Sequence, residues 1–430
     1  MFHTIEECTN FIFQLKASTY KGEPLEAIGI ILTELGNPQE TVKFIHIAGS
    51  NGKGSTVNAT REILMEHGLT VGAFTSPHLE FVNERVTINK EPISDEVFLH
   101  YANKISTIID EKLHGQYPSF FEIMTVIALL YFSKRNVDVA LIETGIGGRI
   151  DSTNVITPEV SVITTISLEH TEILGDTLQK VAYEKAGIIK EGKPVVIGVK
   201  QQEALDIIFE KATNCHAPVY VLNQEIELFN IRKNSPQLFD YKSQQGTIND
   251  IPLAMQGAHQ IENAALAITA ALAFDSSIEA STIRQALKNA RWEGRFEQVT
   301  EQVIIDGAHN SEGTEALLNT LLEFYPNKHY HFIYAALSDK DHEKSIHLMD
   351  EVAASMSFTE ISIPRAARAK DLANQSTHSF VSVDENWQRL IEKMIANLQE
   401  EDLLVITGSL YFISDVRQFL LEMRQHDPQA

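Results

Sequence analysis

Apolar runs alternate with segments of helical spacing along most of the chain, and this rhythm predicts an α/β fold. Residues 42–48 form an apolar run typical of a buried strand, and residues 57–66 have the spacing of a helix. Further strands are predicted in the same half of the chain at residues 69–74, 137–142, 160–166 and 194–199. Strands separated by helices form a mainly parallel sheet with right-handed crossovers.

In the second half of the chain, the alternation of predicted strands and helices first stops and then starts again. Residues 219–252 are polar and broken, which predicts a small β excursion. After residue 296 we predict strands at 303–306, 330–336, 358–363 and 403–407, and helices at 312–325, 342–354 and 387–398. We therefore expect two domains, residues 1–296 and a smaller α/β domain of residues 297–430.

A glycine-rich loop follows the first predicted strand and precedes a helix. Its residues are Gly49, Ser50, Asn51, Gly52, Lys53, Gly54 and Ser55. Strand, glycine loop and helix is the context of a phosphate-binding loop, in which backbone N–H groups and the helix N-terminus attract an anion. The spacing differs from the standard G-x-x-x-x-G-K-[ST] pattern because Gly54 separates Lys53 from Ser55. An ordinary glycine turn remains the alternative.

Composition limits the classes of partner. The chain has 430 residues, of which 43% are hydrophobic and 22% charged, and its net charge is -23. This acidity argues against broad binding to nucleic acid or to anionic membranes. There are only two cysteines, Cys8 and Cys215, and the N-terminus lacks the pattern of a secretory signal. We expect a cytoplasmic protein without a disulfide framework.

Three polar residues come just after predicted strands, namely Ser76, Glu143 and His170. If the strands are neighbours, these side chains lie along one sheet edge beside the glycine loop, where open α/β sheets bind ligands. Hard oxygen ligands suit Mg²⁺, whereas a histidine is an unusual ligand for it. Glu143 could equally be an exposed carboxylate at a strand end, and His170 a capping or core histidine.

The second domain has its own polar strand end. Asp306 and His309 follow its first predicted strand, and they could face a nucleotide. Arg295 precedes that strand and could reach a phosphate or form a surface salt bridge. Arg85 and Arg149 are left open between substrate contact and solvated charge.

Several stretches together match a known family. They are residues 49–55, 75–78, 83–85, 143–154, His170 with Leu174 and Gly175, and residues 184–190, 306–310 and 407–411. In this order the chain resembles the folylpolyglutamate synthases, with or without dihydrofolate synthase activity, a branch of the Mur-ligase superfamily. The matches span about residues 20–420. Ser50 stands where the family usually has threonine, and no proline precedes Gly294 or Arg295.

The resemblance implies a P-loop ATPase domain with a mainly parallel sheet and a smaller Rossmann-like C-terminal domain. It implies an enzyme that uses ATP to phosphorylate a folate carboxylate, which the amine of L-glutamate then attacks. The implied cofactors are ATP and Mg²⁺ at two sites, with a monovalent cation as a further candidate. We expect small-molecule substrates, no nucleic-acid or membrane partner, and a monomer.

The resemblance also assigns residues. Residues 49–55, with Asn263, Arg295 and Asp306, would bind ATP, and Ser76, Glu143 and His170 would bind Mg²⁺. Lys185 matches a lysine that the family carbamylates, and the carbamate would be a carboxylate-like metal ligand. The implied catalytic residues are Lys53, Glu143, His170 and Lys185. The implied substrate contacts are Phe120, Phe121, Glu122, Asp151, His309 and Ser409. Without the resemblance, Lys185 would be interpreted as a helix-surface lysine.

Two other functions stay open from the sequence. One is a cell-wall amino-acid ligase of the same superfamily that uses UDP-muramyl substrates, although the residue 53–55 and 143–154 stretches favour the folate branch. The other is a nucleotide-binding switch or ATPase without ligase activity, which would hydrolyse ATP without glutamate or folate. The visible motifs serve dihydropteroate and folate monoglutamate equally well.

Overall fold

The computed structural model describes residues 1–15, 17–233, 235–338 and 342–426. The chain divides into two compact units. The first comprises Met1–Arg232, Leu238–Ala254 and Gln260–Ala290, and the second comprises Lys233–Gln237, Met255–His259 and Arg291–Ala430. The boundary predicted after residue 296 remains a prediction.

An eight-stranded sheet lies at the centre of the first unit. Its strands are β1 Phe44–Ala48, β2 Val71–Phe74, β3 Val86–Ile88, β4 Glu91–Pro92, β5 Val139–Glu143, β6 Val160–Ile163, β7 Val195–Ile197 and β8 Val219–Val221. The spatial order is β4-β3-β2-β5-β1-β6-β7-β8. Pairing is parallel except in the β2-β3-β4 hairpins at one edge. Strand β1 thus lies between β5 and β6, and the polar residues that follow β5 and β6 lie on either side of the end of β1.

Ten helices accompany the described strands up to residue 290. They are α1 Ile5–Gln14, α2 Glu26–Glu34, α3 Lys53–Glu66, α4 Asp95–Lys112, α5 Phe120–Lys134, α6 Thr171–Leu174, α7 Leu178–Ala186, α8 Gln202–Asn214, α9 Ala258–Phe274 and α10 Ala280–Asn289. Short 3-10 turns occupy Pro38–Glu40, Val82–Arg85 and Ser152–Val155. The predicted parallel α/β architecture is confirmed.

Helix α5 shows how local sequence fixes one of these elements. Ser119 caps its N-terminus, and the Glu122 carboxylate accepts a hydrogen bond from the Ser119 backbone N–H at 2.8 Å. The helix is apolar on nearly all sides and is buried from Ile123 to Phe132. Phe132 packs so closely on β2 that a Cβ at Gly72 would lie 2.7 Å from its ring.

The predicted β excursion is also confirmed. Strand β8 joins the large sheet, and β9 Glu227–Arg232, β10 Gln237–Ser243 and β11 Gly246–Leu253 form a separate three-stranded sheet. Strands β9 and β10 are antiparallel. The alternation of buried and exposed residues in β11 fits a sheet with one solvated face.

A six-stranded sheet forms the second unit. Its strands are β12 Glu297–Thr300, β13 Val303–Ile305, β14 His329–Tyr334, β15 Ala353–Phe358, β16 Val381–Val383 and β17 Asp402–Thr407. The order is β12-β13-β17-β14-β15-β16, and all pairs except β12-β13 are parallel. The helices are α11 Ser311–Phe324, α12 Glu343–Asp350, α13 Ala369–Ala373, α14 Trp387–Ile395 and α15 Leu410–His426.

The sequence prediction is wrong around residues 342–363. Helix α12 ends at Asp350 rather than at residue 354, and the strand lies at Ala353–Phe358 rather than at 358–363. Small and polar residues begin β15, so its strand pattern is weak. Strands β12 and β16 and helices α13 and α15 were not predicted.

In the described residues, no helix is long and apolar enough to cross a membrane. Cys8 and Cys215 are both free.

Candidate active site

The glycine loop lies between β1 and α3, as predicted. Helix α3 begins at Lys53, so Lys53, Gly54 and Ser55 form its first turn. Gly52 precedes the helix with φ 86°, a left-handed conformation that glycine adopts without strain. The free N–H groups and the partial positive charge of the helix N-terminus therefore meet at this loop.

The segment after β6 holds the loop in shape. The backbone N–H of Ser50 donates to the Thr165 carbonyl oxygen at 2.9 Å, and that of Asn51 donates to Thr165 Oγ1 at 2.9 Å. Thr164 Oγ1 donates to the Asn51 carbonyl oxygen at 2.6 Å. The Ser167 N–H donates to Ser50 Oγ at 3.0 Å. These bonds pre-organise the loop for a ligand.

Lys53 and Asn263 both lie at this loop. Lys53 Nζ donates to the carbonyl oxygens of Gly49 at 2.8 Å and Ser50 at 3.3 Å, so its charge lies over the loop. Asn263, on α9, is so close that a Cβ at Gly52 would lie 2.4 Å from its Oδ1. The structure thus brings together the loop and the asparagine that were assigned to one nucleotide site.

Two of the three predicted Mg²⁺ ligands meet at the ends of neighbouring strands. Glu143 ends β5 and is buried, and its Oε2 accepts a hydrogen bond from the Ser76 backbone N–H at 3.2 Å. A buried carboxylate beside a hydroxyl is a donor set that suits Mg²⁺. His170 is exposed and precedes α6 in a left-handed conformation, with φ 46°. The complete ligand set remains a prediction.

Among the described residues, acidic, cysteine and histidine side chains do not form a metal-binding cluster on their own. In the part of the chain that the structure describes, no group of three or more such residues could hold a metal ion. A site at Glu143 therefore depends on other oxygen donors, such as the Ser76 hydroxyl.

Lys185 is buried, so its interpretation as a surface lysine is wrong. It lies on α7 at 1% exposure, and its Nζ is 2.7 Å from Glu169 Oε1. Burial lowers the pKa of Lys185 to about 8, although Glu169 opposes this shift. A lysine with such a pKa holds about a tenth of its amine in the neutral, nucleophilic form at pH 7.

Glu169 is a site residue that the sequence analysis missed. Burial alone would raise its pKa, but the Lys185 and Lys53 ammonium groups lower it to about 2, so it is ionised. It therefore links the glycine loop electrostatically to Lys185. Its position directly before His170, a predicted metal ligand, is the sequence feature that could have identified it.

Asp151 shapes the loop that follows β5. Its Oδ2 accepts hydrogen bonds from the backbone N–H groups of Gly145 at 3.0 Å and Ile146 at 2.9 Å. Its Oδ1 accepts from the N–H of Thr153 at 3.0 Å and from Thr153 Oγ1 at 2.5 Å. Burial raises the pKa of Asp151, and these hydrogen bonds oppose the shift. Contact of Asp151 with a substrate remains a prediction.

The start of α5 borders this loop. Phe121 stacks on Phe74 with ring centroids 5.5 Å apart, and a Cβ at Gly145 would lie 2.6 Å from its ring. Phe120 packs on Phe13 with centroids 4.8 Å apart. Glu122 caps its own helix through Ser119. Phe121 is therefore placed at the loop after β5, and the role of both phenylalanines in substrate binding remains a prediction.

The two arginines left open by the sequence differ in environment. Arg85 is 6% exposed, donates from Nε to His78 Nδ1 at 2.8 Å and lies 5.1 Å from the Phe120 ring centroid. A solvated charge is thus the wrong interpretation for Arg85. Arg149 pairs with Glu184 at 2.9 Å, and 45% of its side chain is exposed.

Two glycines allow the loop after β5 to lie directly against α7. A Cβ at Gly148 would lie 2.9 Å from the carbonyl oxygens of Glu184 and Lys185, and a Cβ at Gly187 would lie 2.3 Å from Arg149 Cα. The Arg149 N–H donates to the Glu184 carbonyl oxygen at 2.7 Å. This contact fixes the helix that carries Lys185.

We expect Gly187→Ala to destabilise the first unit by about 1–3 kcal/mol. The added methyl group would overlap the backbone of Arg149, which cannot move away as a flexible side chain could. Denaturant unfolding, followed by far-ultraviolet circular dichroism, measures the change in the free energy of unfolding. Gly29→Ala is the matched control, since a Cβ there meets nothing within 4 Å and lies within α2. An equal effect of both substitutions would contradict the close-packing argument.

Arg295 and Asp306 lie together in the second unit. Asp306 accepts hydrogen bonds from the N–H groups of Phe296 at 2.7 Å and Ala308 at 2.8 Å. A Cβ at Gly307 would lie 2.2 Å from Arg295 Nη1. Burial raises the pKa of Asp306, and the Arg295 guanidinium opposes the shift. The pair combines a cation with a carboxylate, which are groups that contact phosphate and ribose hydroxyls.

The segments with His309 and Ser409 are also neighbours. They follow the paired strands β13 and β17, and the Gly408 N–H donates to the Ala308 carbonyl oxygen at 3.1 Å. Ser409 is buried, whereas His309 is half-buried, with its Nδ1 3.0 Å from the Gly307 carbonyl oxygen. The structure places both residues at one sheet edge, and their contact with glutamate remains a prediction.

Two family models match the chain. Residues 47–271 match the Mur ligase middle domain, and residues 294–410 match the Mur ligase glutamate ligase domain. The first match contains the glycine loop, Glu143, Lys185 and Asn263, and the second contains Asp306.

Individual relatives agree with these matches. The dihydrofolate synthase/folylpolyglutamate synthase of Bacillus subtilis is 40% identical over 401 residues, covering 91% of this chain and 93% of the relative. The folylpolyglutamate synthase of Lacticaseibacillus casei is 35% identical over 403 residues, with the same coverage of 91% and 93%. The structure of the Mycobacterium tuberculosis folylpolyglutamate synthase complexed with ADP and AMPPCP has a TM-score of 0.89 at 28% identity. It covers 97% of this chain and 98% of that one.

Proposed function

Because the chain belongs to the folylpolyglutamate synthase family of ATP-dependent Mur-type ligases, we propose that it adds L-glutamate to folates. The acceptor is tetrahydrofolate or its polyglutamates, and ATP activates its terminal carboxylate as an acyl phosphate. The observation that carries this proposal is the 40% identity to the Bacillus subtilis enzyme over 91% of the chain. The organised glycine loop supports it independently.

The nucleotide site is the loop of residues 49–55. Its backbone N–H groups, the start of α3 and the Lys53 ammonium group supply the positive potential that ATP phosphates need in an otherwise acidic protein. Asn263 contacts the loop and belongs to the same site. In the second unit, Arg295 and Asp306 are the proposed contacts to phosphate and ribose.

Ser76 and Glu143 fit a Mg²⁺ ion, because both are hard oxygen donors at one strand edge. We propose that they hold it with His170, and that Lys185 as a carbamate contributes to a second site. When bound, Mg²⁺ neutralises phosphate charge during phosphoryl transfer. A monovalent cation remains a further candidate.

The chain's own residues then have limited chemical tasks. A carboxylate is a poor electrophile until one of its oxygens is bonded to phosphorus in a mixed carboxylic–phosphoric anhydride, the acyl phosphate, which forms as ADP leaves. Phosphoryl transfer requires alignment and charge stabilisation more than covalent help from the protein. Lys53 stabilises charge on the transferred phosphoryl group, and the loop N–H groups align it. His309 and Ser409 are proposed to orient the glutamate whose amine attacks the acyl phosphate.

Dihydropteroate is a second candidate acceptor. The Bacillus subtilis relative is named for both dihydrofolate synthase and folylpolyglutamate synthase activities. Both acceptors present a carboxylate to the same chemistry, so we propose that this chain also converts dihydropteroate to dihydrofolate. We further propose a monomer in a reducing cytosol.

ADP release with ATP and glutamate, measured separately with tetrahydrofolate and with dihydropteroate, tests these assignments. We expect ADP release to require both glutamate and a folate acceptor, and mass spectrometry to show one added glutamyl residue. ADP release without acceptor would instead indicate a simple ATPase. Turnover of a UDP-muramyl substrate with none of a folate would indicate the cell-wall branch.

A further inference from the structure

His46 is a fully buried histidine for which the proposed chemistry has no use. It lies in the middle of β1, three residues before the nucleotide loop, at 0% exposure. Burial, with a smaller effect of Lys190, lowers the pKa of His46 to about 3, so the imidazole is neutral at physiological pH. Its Nε2 lies 2.8 Å from Thr153 Oγ1, which belongs to the short helical turn after β5.

The hydrogen-bond directions in this network can be assigned. Asp151 accepts four hydrogen bonds, two at each oxygen, which occupy the lone pairs of its carboxylate. The Thr153 hydroxyl proton therefore points to Asp151 Oδ1, at 2.5 Å. Thr153 Oγ1 must then accept from His46 Nε2–H. His46 Nδ1 carries no proton and, among the described residues, has no hydrogen-bond partner.

The network ends on the backbone of the loop after β5. From His46 it passes through Thr153 and Asp151 to the N–H groups of Gly145 and Ile146. The nucleotide loop has separate anchors, because residues 164–167 hold it from the side of β6. A change in the His46 network should therefore affect the loop after β5 more than the nucleotide loop.

Contacts with α7 hold the later part of the loop after β5, whereas residues 145 and 146 depend on the hydrogen bonds to Asp151. The loop contains Gly145, Gly147 and Gly148, and Gly147 has φ 72°. Ile146 and Ile150 are 38% and 45% exposed. Glycine-rich backbone with exposed side chains has many alternative conformations, and hydrogen bonds to a buried carboxylate restrict them.

We propose that His46 is a positioning residue that acts through Thr153 and Asp151 to hold the loop after β5 in the conformation that receives the folate acceptor. The acceptor is assigned to this loop because Asp151 and Phe121, which contact it, are substrate residues that the family resemblance implies, so the assignment rests on the proposed function. The nucleotide-binding strand thus carries a residue whose task is to position the loop for the other substrate.

The test compares two substitutions at His46. His46→Leu keeps apolar volume but removes the donor, and His46→Gln offers an amide N–H in place of Nε2–H. We expect His46→Leu to raise KM for tetrahydrofolate about tenfold and to speed amide hydrogen exchange at residues 145–146 by a similar factor. The Kd for AMPPCP should change less than twofold. His46→Gln should recover most of both losses.

A second pair keeps the test decisive if His46→Leu does not fold. Thr153→Val keeps the branched shape but removes the hydroxyl that bonds to His46 and Asp151, and Thr153→Ser retains the hydroxyl. The valine variant should show the same selective increase in KM and in exchange, and the serine variant should resemble the unaltered protein. Equal increases in exchange throughout the first unit, or equal losses of folate and AMPPCP affinity, would overturn the positioning role.

Two measurements separate this inference from the proposed function. Amide exchange and the ¹⁵N shifts of His46, which report a protonated Nε2 and a bare Nδ1, need no catalysis. If the protein without substitutions does not turn over folate, the proposed function is wrong. The comparison of amide exchange between variants still tests the His46 network in that case. A protonated Nδ1, or unchanged exchange at residues 145–146 in both His46→Leu and Thr153→Val, would reject the network.

Discussion

Lys53→Ala should lower kcat for glutamate ligation by about a hundredfold to a thousandfold, the cost of removing a charge that stabilises a transition state. The Lys53 Nζ lies over the nucleotide loop, 2.8 Å from the Gly49 carbonyl oxygen, where a transferred phosphoryl group would be bound. Coupled detection of ADP at saturating ATP, glutamate and tetrahydrofolate measures the loss. Lys53→Arg should recover little, because a planar guanidinium cannot replace a compact ammonium group in this loop.

Lys104→Ala is the matched control for this prediction. Lys104 is an exposed lysine on α4, so its loss should leave kcat within twofold. A Lys53→Ala enzyme that retains more than a third of the original kcat would show that the loop does not hold the reacting phosphates. Thermal unfolding of both variants checks that the comparison is between folded proteins.

Lys185→Ala should abolish most activity, and short carboxylic acids such as acetate should restore part of it. The reason is that the cavity left by the side chain would admit a carboxylate in place of the proposed carbamate. In the uncarbamylated protein, truncation removes the ion-pair partner that lies 2.7 Å from Glu169, and we expect it to cost about 1–3 kcal/mol in stability because Lys53 offsets part of the remaining charge. The double variant Lys185→Ala with Glu169→Gln removes this remaining charge and should unfold at a higher temperature.

The pKa of Lys185 also predicts a pH dependence of carbamate formation. Carbon dioxide reacts with the neutral amine, and a pKa lowered to about 8 means that the neutral fraction falls roughly tenfold for each pH unit below 8. Incorporation of ¹³C from labelled bicarbonate should therefore rise between pH 6 and pH 8.5. Lys180→Ala, an exposed lysine on the same helix, should change neither labelling nor activity. Full activity of Lys185→Ala without added acid would contradict the carbamate assignment.

Periodicity predicted the elements whose residues are uniform in character. Strand β1 is apolar except for His46 and is followed by a glycine-rich loop, so its end and the start of α3 are visible in the sequence. Strand β15 begins with Ala353, Ala354 and Ser355, which have weak strand preference, and the prediction placed this strand too late. The short strands β12 and β16 were missed, since strands of three or four residues carry little periodic pattern.

The site was less visible than the fold. Ser76 and Glu143 could be placed together because parallel strands end at one sheet edge. The burial of Lys185 could not be predicted from the sequence. The spacing of residues in α7 does not reveal that Glu169, in another segment, neutralises the charge of Lys185. The His46 network joins residues that are 107 positions apart, a contact that only the fold creates.

Oxygen transfer from the acceptor to phosphate tests the central claim of an acyl-phosphate ligase most directly. The enzyme is given ATP, glutamate and tetrahydrofolate whose terminal carboxylate carries ¹⁸O, and the released phosphate is analysed by ³¹P NMR. We predict one ¹⁸O atom in each phosphate for each amide bond formed, because the carboxylate oxygen that attacks ATP leaves with the phosphate. Released phosphate without ¹⁸O, at a rate equal to amide formation, would contradict an acyl phosphate.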